Sequence, residues 1–108
     1  MSGEEIIGQV IKVTDETNKI VESINMPPEA TKGINYIRVD FSFKDEKMQG
    51  HMGLVQLMFE NNSYNEYMPK IPQKGSPITI VKKGFIKTDY KVDLGELNKF
   101  INLTKINK

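Results

Sequence analysis

The chain has 108 residues, of which 38% are apolar and 27% are charged, and its formal net charge is +1. This size and composition are typical of one globular domain, so we expect residues 1–108 to fold as a single unit. The lack of cysteine excludes disulfides, thiolate zinc sites and a cysteine nucleophile. No apolar run reaches the length of a signal or membrane segment, and we expect a cytoplasmic protein without membrane contact.

The first elements are predicted to be strands. Glu5 to Val13 is rich in β-branched residues, and Gly8 within it predicts a bulge or bend. Lys19 to Ile24 predicts a second, short strand. It runs into the segment Asn25 to Gly33, whose paired prolines and final glycine predict a long loop.

Ile34 to Phe43 has the clearest period of the sequence, an alternation that predicts a half-buried strand. Its buried face is predicted to be Ile37, Val39, Phe41 and Phe43, and its other face Tyr36, Arg38, Asp40 and Ser42. Met48 to Phe59 predicts the next strand, in which Gly50 and Gly53 either let the strand bend or admit a ligand close to the backbone. We expect four methionines near this strand and the following helix to fill the core: Met48, Met52, Met58 and Met68.

One or two helical turns are predicted next, since Ser63 and Glu66 have the spacing of a capping box and Pro69 should end the helix. Pro77 to Lys87 then alternates as a strand, with Ile78, Ile80 and Ile86 on its apolar face.

The C-terminal segment begins with a predicted loop around Thr88 to Asn98. Lys99 to Ile106 is predicted to be the last strand. A terminal helix is the alternative, because Leu94, Leu97 and Ile101 have helical spacing.

Three principal strands, a short helix and two strands are the order of the OB-fold, a partly open barrel. The predicted fold class is therefore mostly β, a five-stranded OB-type barrel with one short helix between strands 3 and 4. The helix should plug one barrel end with Tyr64, Tyr67 or Met68.

The segment Tyr67 to Ile80 resembles the helix end and fourth strand of bacterial single-stranded DNA-binding proteins. In that family a Lys-Gly-Ser turn leads into an alternating apolar strand and then a basic and aromatic stretch. Here the turn would be Lys74-Gly75-Ser76, and the match covers about a quarter of the chain. The sequence departs from the family in having no tryptophan and in ending on Lys108 rather than on an acidic tail.

The charge is unevenly distributed along the chain. Residues 1–68 hold six Lys/Arg and eleven Asp/Glu, a net of −5, whereas residues 69–108 hold nine Lys and three acids, a net of +6. Binding of a single strand needs cations for the phosphates and rings on which bases stack. The candidates for this role are Tyr36, Arg38, His51, Lys83, Phe85, Lys87 and Tyr90. Tyr36 and Arg38 share the solvent side of one predicted strand, and Lys83, Phe85 and Lys87 share that of another. The alternative is that these lysines only keep the sheet soluble.

Nothing in the sequence predicts an enzyme. His51 is the only histidine, no carboxylate cluster has metal-ligand spacing and no glycine-rich phosphate loop is present. We therefore expect no catalytic residue, no metal and no cofactor.

The first hypothesis is a non-enzymatic protein that binds single-stranded DNA, with RNA as the alternative nucleic acid, as a monomer or small homo-oligomer. The second is a protein-binding module, such as a phage or mobile-element protein that binds and inhibits a host protein. A barrel that binds a small molecule is a third, for which the chain is short.

Overall fold

The computed structural model describes residues 5–17, 33–83 and 90–107. In chain order the elements are β1 (Glu5–Asp15), β2 (Ile34–Lys44), β3 (Gly50–Glu60), the helix α1 (Asn61–Tyr67), the 3₁₀ helix η1 (Met68–Lys70), β4 (Pro77–Lys82), β5 (Tyr90–Asp93), the 3₁₀ helix η2 (Gly95–Phe100) and β6 (Ile101–Asn107). The six strands within these residues are antiparallel and form one sheet, in the order β5-β4-β1-β2-β3-β6, that curls into a nearly closed barrel.

The predicted fold class is confirmed, with a different number of strands. The protein is mostly β, and α1 lies between β3 and β4 as expected of an OB-type barrel. The sixth strand is β5, which pairs with β4 inside the segment predicted to be a loop. Its four residues bury only Val92, and so short an alternation does not distinguish a strand from a loop.

The first strand joins the two sides of the barrel. Residues from Glu5 to Gln9 pair with β4, and the part from Gln9 to Asp15 pairs with β2. Gly8 permits this crossing, because a Cβ there would lie 2.5 Å from the Ser42 carbonyl oxygen. The predicted irregularity exists, but the register shift falls between Val10 and Lys12 rather than at Gly8.

The core follows the predicted alternation. Phe41, Phe59 and Leu57 are completely buried, and β4 contributes Ile78 and Ile80. The predicted inward face of β2 is confirmed, since Ile37, Val39, Phe41 and Phe43 all belong to one core cluster. The apolar period of two therefore identifies the inside of the barrel correctly.

The methionine prediction is wrong. The exposed fractions are 70% for Met48, 57% for Met52, 40% for Met58 and 48% for Met68. Met52 and Met58 alternate with the inward residues of β3, and Met48 lies in the turn before β3 with a positive φ of 64°. Apolar character alone predicts burial, whereas the strand period directs Met52 and Met58 outward, and Met48 and Met68 lie outside the strands.

The helix begins earlier than predicted. Its N-cap is Glu60, no side chain caps it, and Ser63 lies inside the helix, so the predicted capping box is wrong. Pro69 occupies the first turn of η1, where its missing N–H costs no hydrogen bond, and the chain continues helically to Lys70. Tyr64 and Tyr67 pack against the core as predicted, while Met68 is largely exposed.

The last strand is confirmed over Ile101–Asn107, in preference to a terminal helix. The leucines of helical spacing belong partly to η2, whose Leu97 is buried. The predicted turn at Lys74-Gly75-Ser76 is also present, since Gly75 has a φ of 89° and donates its N–H to Val10. Four expectations lie outside the described residues: the short strand 19–24, the loop 25–32, the strand continuation 84–87 and the start of the following loop.

Candidate functional site

A groove of about 610 Å³ lies across the outer face of β2 and β3. The residues of β2 and β3 that face outward line it. Ser42 lies opposite Met52, and Asp40 lies opposite Leu54. Arg38 continues the β2 side, while Lys44 and Gly50 form the end nearest the β2–β3 turn. The same alternation that builds the core therefore also produces the lining of this groove.

Two glycines of β3 line the groove and have different roles. A Cβ on Gly53 would lie 2.5 Å from the Lys105 carbonyl oxygen and 2.7 Å from Phe41 Cζ, so only glycine lets β6 and the core approach so closely. A Cβ on Gly50 would meet no atom within 4 Å. Close packing thus explains Gly53, and open space surrounds Gly50 at the end of the groove.

Arg38 has acidic neighbours in the groove. Its Nε and Nη2 donate to Asp40 Oδ1 over 3.0 and 2.9 Å, and its Nη1 lies 4.0 Å from Glu16 Oε2. The arginine side chain is 40% exposed, whereas those of Asp40 and Glu16 are 17% and 16% exposed. This trio carries one negative charge in excess.

Three lysines on the same outer face outweigh the excess negative charge of the trio. Lys12 lies opposite Asp40 on β1, and Lys105 lies opposite Leu54 on β6. Both are exposed, as is Lys44 at the end of the groove. On the outer face of β1, β2, β3 and β6, these three lysines outnumber the one excess negative charge of the trio.

Apolar side chains complete the face. Met52 is 57% exposed, and Met58 and Leu103 are 40% and 39% exposed. Met52 lines the groove itself, whereas Met58 and Leu103 lie farther along the same outer face.

His51 lies at the barrel end beside the groove and is 2% exposed. Its ring stacks on Phe43 with centroids 4.9 Å apart, and Tyr90 contacts both rings. His51 Nε2 donates to Asp45 Oδ2 over 2.9 Å, since an ionised carboxylate can only accept. Among the described residues nothing hydrogen-bonds His51 Nδ1, which is buried.

Asp45 organises the turn between β2 and β3. Its Oδ1 accepts the backbone N–H groups of Lys47 and Gln49 over 2.9 and 3.0 Å. The hydrogen bond from His51, followed by these two backbone bonds, holds the pKa of Asp45 below its usual value. A smaller cavity of about 220 Å³ lies beside this turn, and His51 lines both it and the groove. His51 therefore lies between the groove and the smaller cavity.

A ring and lysine cluster packs where α1, η1 and η2 meet. Phe100 contacts Phe59 and Tyr67, with centroids 4.6 and 4.9 Å apart. Lys99 Nζ lies 5.0 Å from the Tyr67 ring centroid, and Lys70 Nζ lies 5.3 Å from it. An ion pair between Lys70 and Glu96 joins η1 to η2 and raises the pKa of Lys70. The cluster links these helical turns to the core.

The predicted site residues do not all meet. Arg38 and His51 both line the groove, and Tyr36 lies two residues from Arg38 on the same strand but is only 9% exposed. Tyr90 contacts His51 and lines the smaller cavity rather than the groove. Lys83 is exposed after β4, which β1 separates from β2. Phe85 and Lys87 lie outside the described residues.

Sequence reasoning missed several groove residues. They are the outward members of β2 and β3 and the lysines beside them: Lys12, Asp40, Ser42, Lys44, Met52, Leu54 and Lys105. The signal that could have found them is the alternation itself, because each residue between two buried ones must face outward. Which outward faces are concave depends on barrel curvature.

No group of three or more His, Asp or Glu side chains within residues 5–17, 33–83 and 90–107 is arranged to hold a metal ion. None of the helices in the described part of the chain is long and apolar enough to cross a membrane. Comparison with protein-family models, curated proteins and solved structures gives no match.

Proposed function

We propose that this protein binds single-stranded nucleic acid, DNA in preference to RNA, in the groove across β2 and β3. The observation that carries the proposal is the position of the groove. OB-type barrels bind oligonucleotides on the face of their second and third strands, and a groove of about 610 Å³ lies on that face here. The binding is non-enzymatic and belongs to a cytoplasmic protein.

The charges of the face support a phosphate backbone as ligand. Lys12, Lys44 and Lys105 are exposed beside the groove and do not depend on the ion pair of Arg38. Such lysines attract phosphates without reading sequence, and they release counterions when the strand binds. We therefore expect weak sequence preference and an affinity that falls steeply with salt.

The bases would contact mainly methionine and leucine on the described groove surface. Met52 and Leu54 line the groove, whereas the Tyr36 ring has little exposed surface for stacking. Aliphatic contacts provide less base contact energy than rings, which are worth about 1–3 kcal/mol per base. The proposal therefore predicts modest affinity, and Phe85 and Lys87 stay candidates for further contacts.

The test is a fluorescence-anisotropy titration of labelled oligothymidine at low and moderate salt, with a duplex of equal length as control. The expected result is single-strand-selective binding that weakens with salt. Lys105→Glu should weaken it and lower the slope of log affinity against log salt by about 0.7. Lys74→Glu makes the same charge change in the turn before β4 and should have the smaller effect. Absence of binding at low salt would overturn the proposal.

A protein partner is the second candidate, because of the exposed apolar side chains. Met52, Met58 and Leu103 lie on the same outer face as the groove, and methionine adapts well to protein surfaces. Binding of this kind should resist salt better than phosphate binding. An affinity for a protein that survives moderate salt and is lost in Met52→Glu would favour it over the first candidate.

A further inference from the structure

The groove holds an internal carboxylate at the place where an arginine would meet a phosphate. Asp40 Oδ1 accepts from both Nε and Nη2 of Arg38, over 3.0 and 2.9 Å. These two nitrogens form one edge of the guanidinium fork, the arrangement with which arginine binds carboxylate or phosphate bidentately. That edge is thus occupied in the protein as it stands.

The second carboxylate lies on the other side of the fork. Glu16 Oε2 is 4.0 Å from Nη1, which is a looser contact than that of Asp40. Both carboxylates are less exposed than the arginine they face. An approaching phosphate therefore meets a guanidinium whose charge is already more than balanced by its neighbours.

We propose that Asp40 acts as a built-in competitor for Arg38, so that a single strand must displace this carboxylate before it can use the arginine. This inference rests on the proposed function. Partly exposed ion pairs contribute little to stability, so the exchange of one anionic partner for another is feasible. Asp40 would then lower affinity and make Arg38 available only to a ligand that supplies a phosphate at its fork.

The experiment compares four variants with the wild-type chain in the oligothymidine titration. Asp40→Asn keeps the shape and removes the charge. Glu5→Gln removes one charge from the exposed start of β1, which pairs with β4 and not with β2. Arg38→Ala and the double variant Arg38→Ala with Asp40→Asn complete a cycle that isolates the coupling of the two groove residues. Circular dichroism checks that each variant is folded.

We expect Asp40→Asn to tighten binding roughly three- to tenfold at low salt. The fall of log affinity with log salt should become steeper by about 0.7, the contribution of one more phosphate contact. Glu5→Gln should tighten it less. In the Arg38→Ala background the gain from Asp40→Asn should disappear. An equal gain in Glu5→Gln, or a gain that persists without Arg38, would overturn the inference because it would then reflect net charge alone.

Failure of the proposed function can be distinguished from failure of this inference. If wild-type protein binds oligothymidine and Asp40→Asn binds it no better, the competitor role is refuted and the proposed function stands. If wild-type protein binds nothing at low salt, the proposed function fails. In that case a gain of binding in Asp40→Asn that requires Arg38 would support the competitor role, and continued absence of binding would refute it.

Discussion

Gly53 and Gly50 show how differently two glycines of one strand are used. The Cβ position of Gly53 is blocked by the backbone of β6 and by the Phe41 ring, whereas that of Gly50 is open. Backbone atoms cannot move aside as the end of a flexible side chain can. A Cβ at position 53 could therefore be accommodated only if the strands moved apart. This difference predicts that substitution by alanine destabilises the protein at Gly53 and has little effect at Gly50.

Gly53→Ala should lower the free energy of unfolding by about 1–3 kcal/mol, the usual cost of overpacking. Gly50→Ala should stay within about 0.5 kcal/mol of wild type or become slightly more stable, because alanine restricts the unfolded chain. Urea denaturation of both variants measures the difference. Equal stability of the two variants would contradict the packing of β6 against Gly53.

The predicted residues of the site also differ in how well the sequence describes them. Outward direction could be read from the period for Arg38, and its partner Asp40 could be identified as lying on the same face. Exposure could not be read in this way, since Tyr36 also faces outward and is nevertheless only 9% exposed. The alternation of a strand shows to which side a residue points. Whether that residue is exposed depends on the neighbouring elements that cover that side.

At the scale of elements, η2 is the part that sequence reasoning described least well. The sequence predicts a loop to Asn98 and a strand from Lys99 in this segment, and yet Leu97 is 2% exposed and belongs to the core. Asp93 stabilises the entry to η2, where its Oδ1 accepts from the Gly95 N–H and the Asn98 side chain over 2.9 Å each. These bonds hold the turn in a conformation that directs Leu97 inward.

Leu97→Ala should therefore cost about 2–4 kcal/mol of stability, as large-to-small changes do at buried leucines. Leu103→Ala is the matched control, because Leu103 is 39% exposed on β6 and its truncation should change stability by about 0.5 kcal/mol or less. Thermal and denaturant unfolding measure both. A small effect of Leu97→Ala would show that η2 is not part of the cooperative core.

At the scale of the whole molecule, three carboxyl groups among the described residues have lowered pKa values in the folded state. His51 lowers the pKa of Asp45, the Gly95 N–H and Asn98 lower that of Asp93, and Lys70 lowers that of Glu96. Their usual values are 3.8 for the two aspartates and 4.5 for the glutamate. The unfolded chain therefore binds protons at these groups at a higher pH than the folded chain does.

Stability should consequently be lost on acidification. It is fully present above the usual pKa values and falls as the pH drops below about 5 and through the lowered values of the folded state. Thermal unfolding at pH 7, 5, 4 and 3 should give a melting temperature that falls through the last two steps. Asp45→Asn should lose less on acidification than wild type, and a melting temperature constant from pH 7 to pH 3 would contradict these pKa shifts.

Local periodicity in the amino-acid sequence is enough to predict several parts of this protein. The alternation in β2 and β4 and the turn at Gly75 follow from side-chain period and backbone preference, which act within a few residues. The helix between β3 and β4 has the predicted place in the chain order, although the capping box that predicted it is wrong. The mostly β, OB-type order of elements follows from these same features. This order could be predicted because the sequence pattern of most elements lies within the element itself.

Strand neighbours and the concavity of the outward faces depend instead on long-range contacts in the folded chain. The pairing of β1 with both β2 and β4, the position of β5 and the groove across β2 and β3 arise from contacts between residues far apart in the chain. The exposure of Met52 and the near burial of Tyr36, which both face outward by their strand period, also depend on which neighbouring elements cover each position. Curvature and pairing are properties of the closed barrel, because no single strand contains the atoms that produce them.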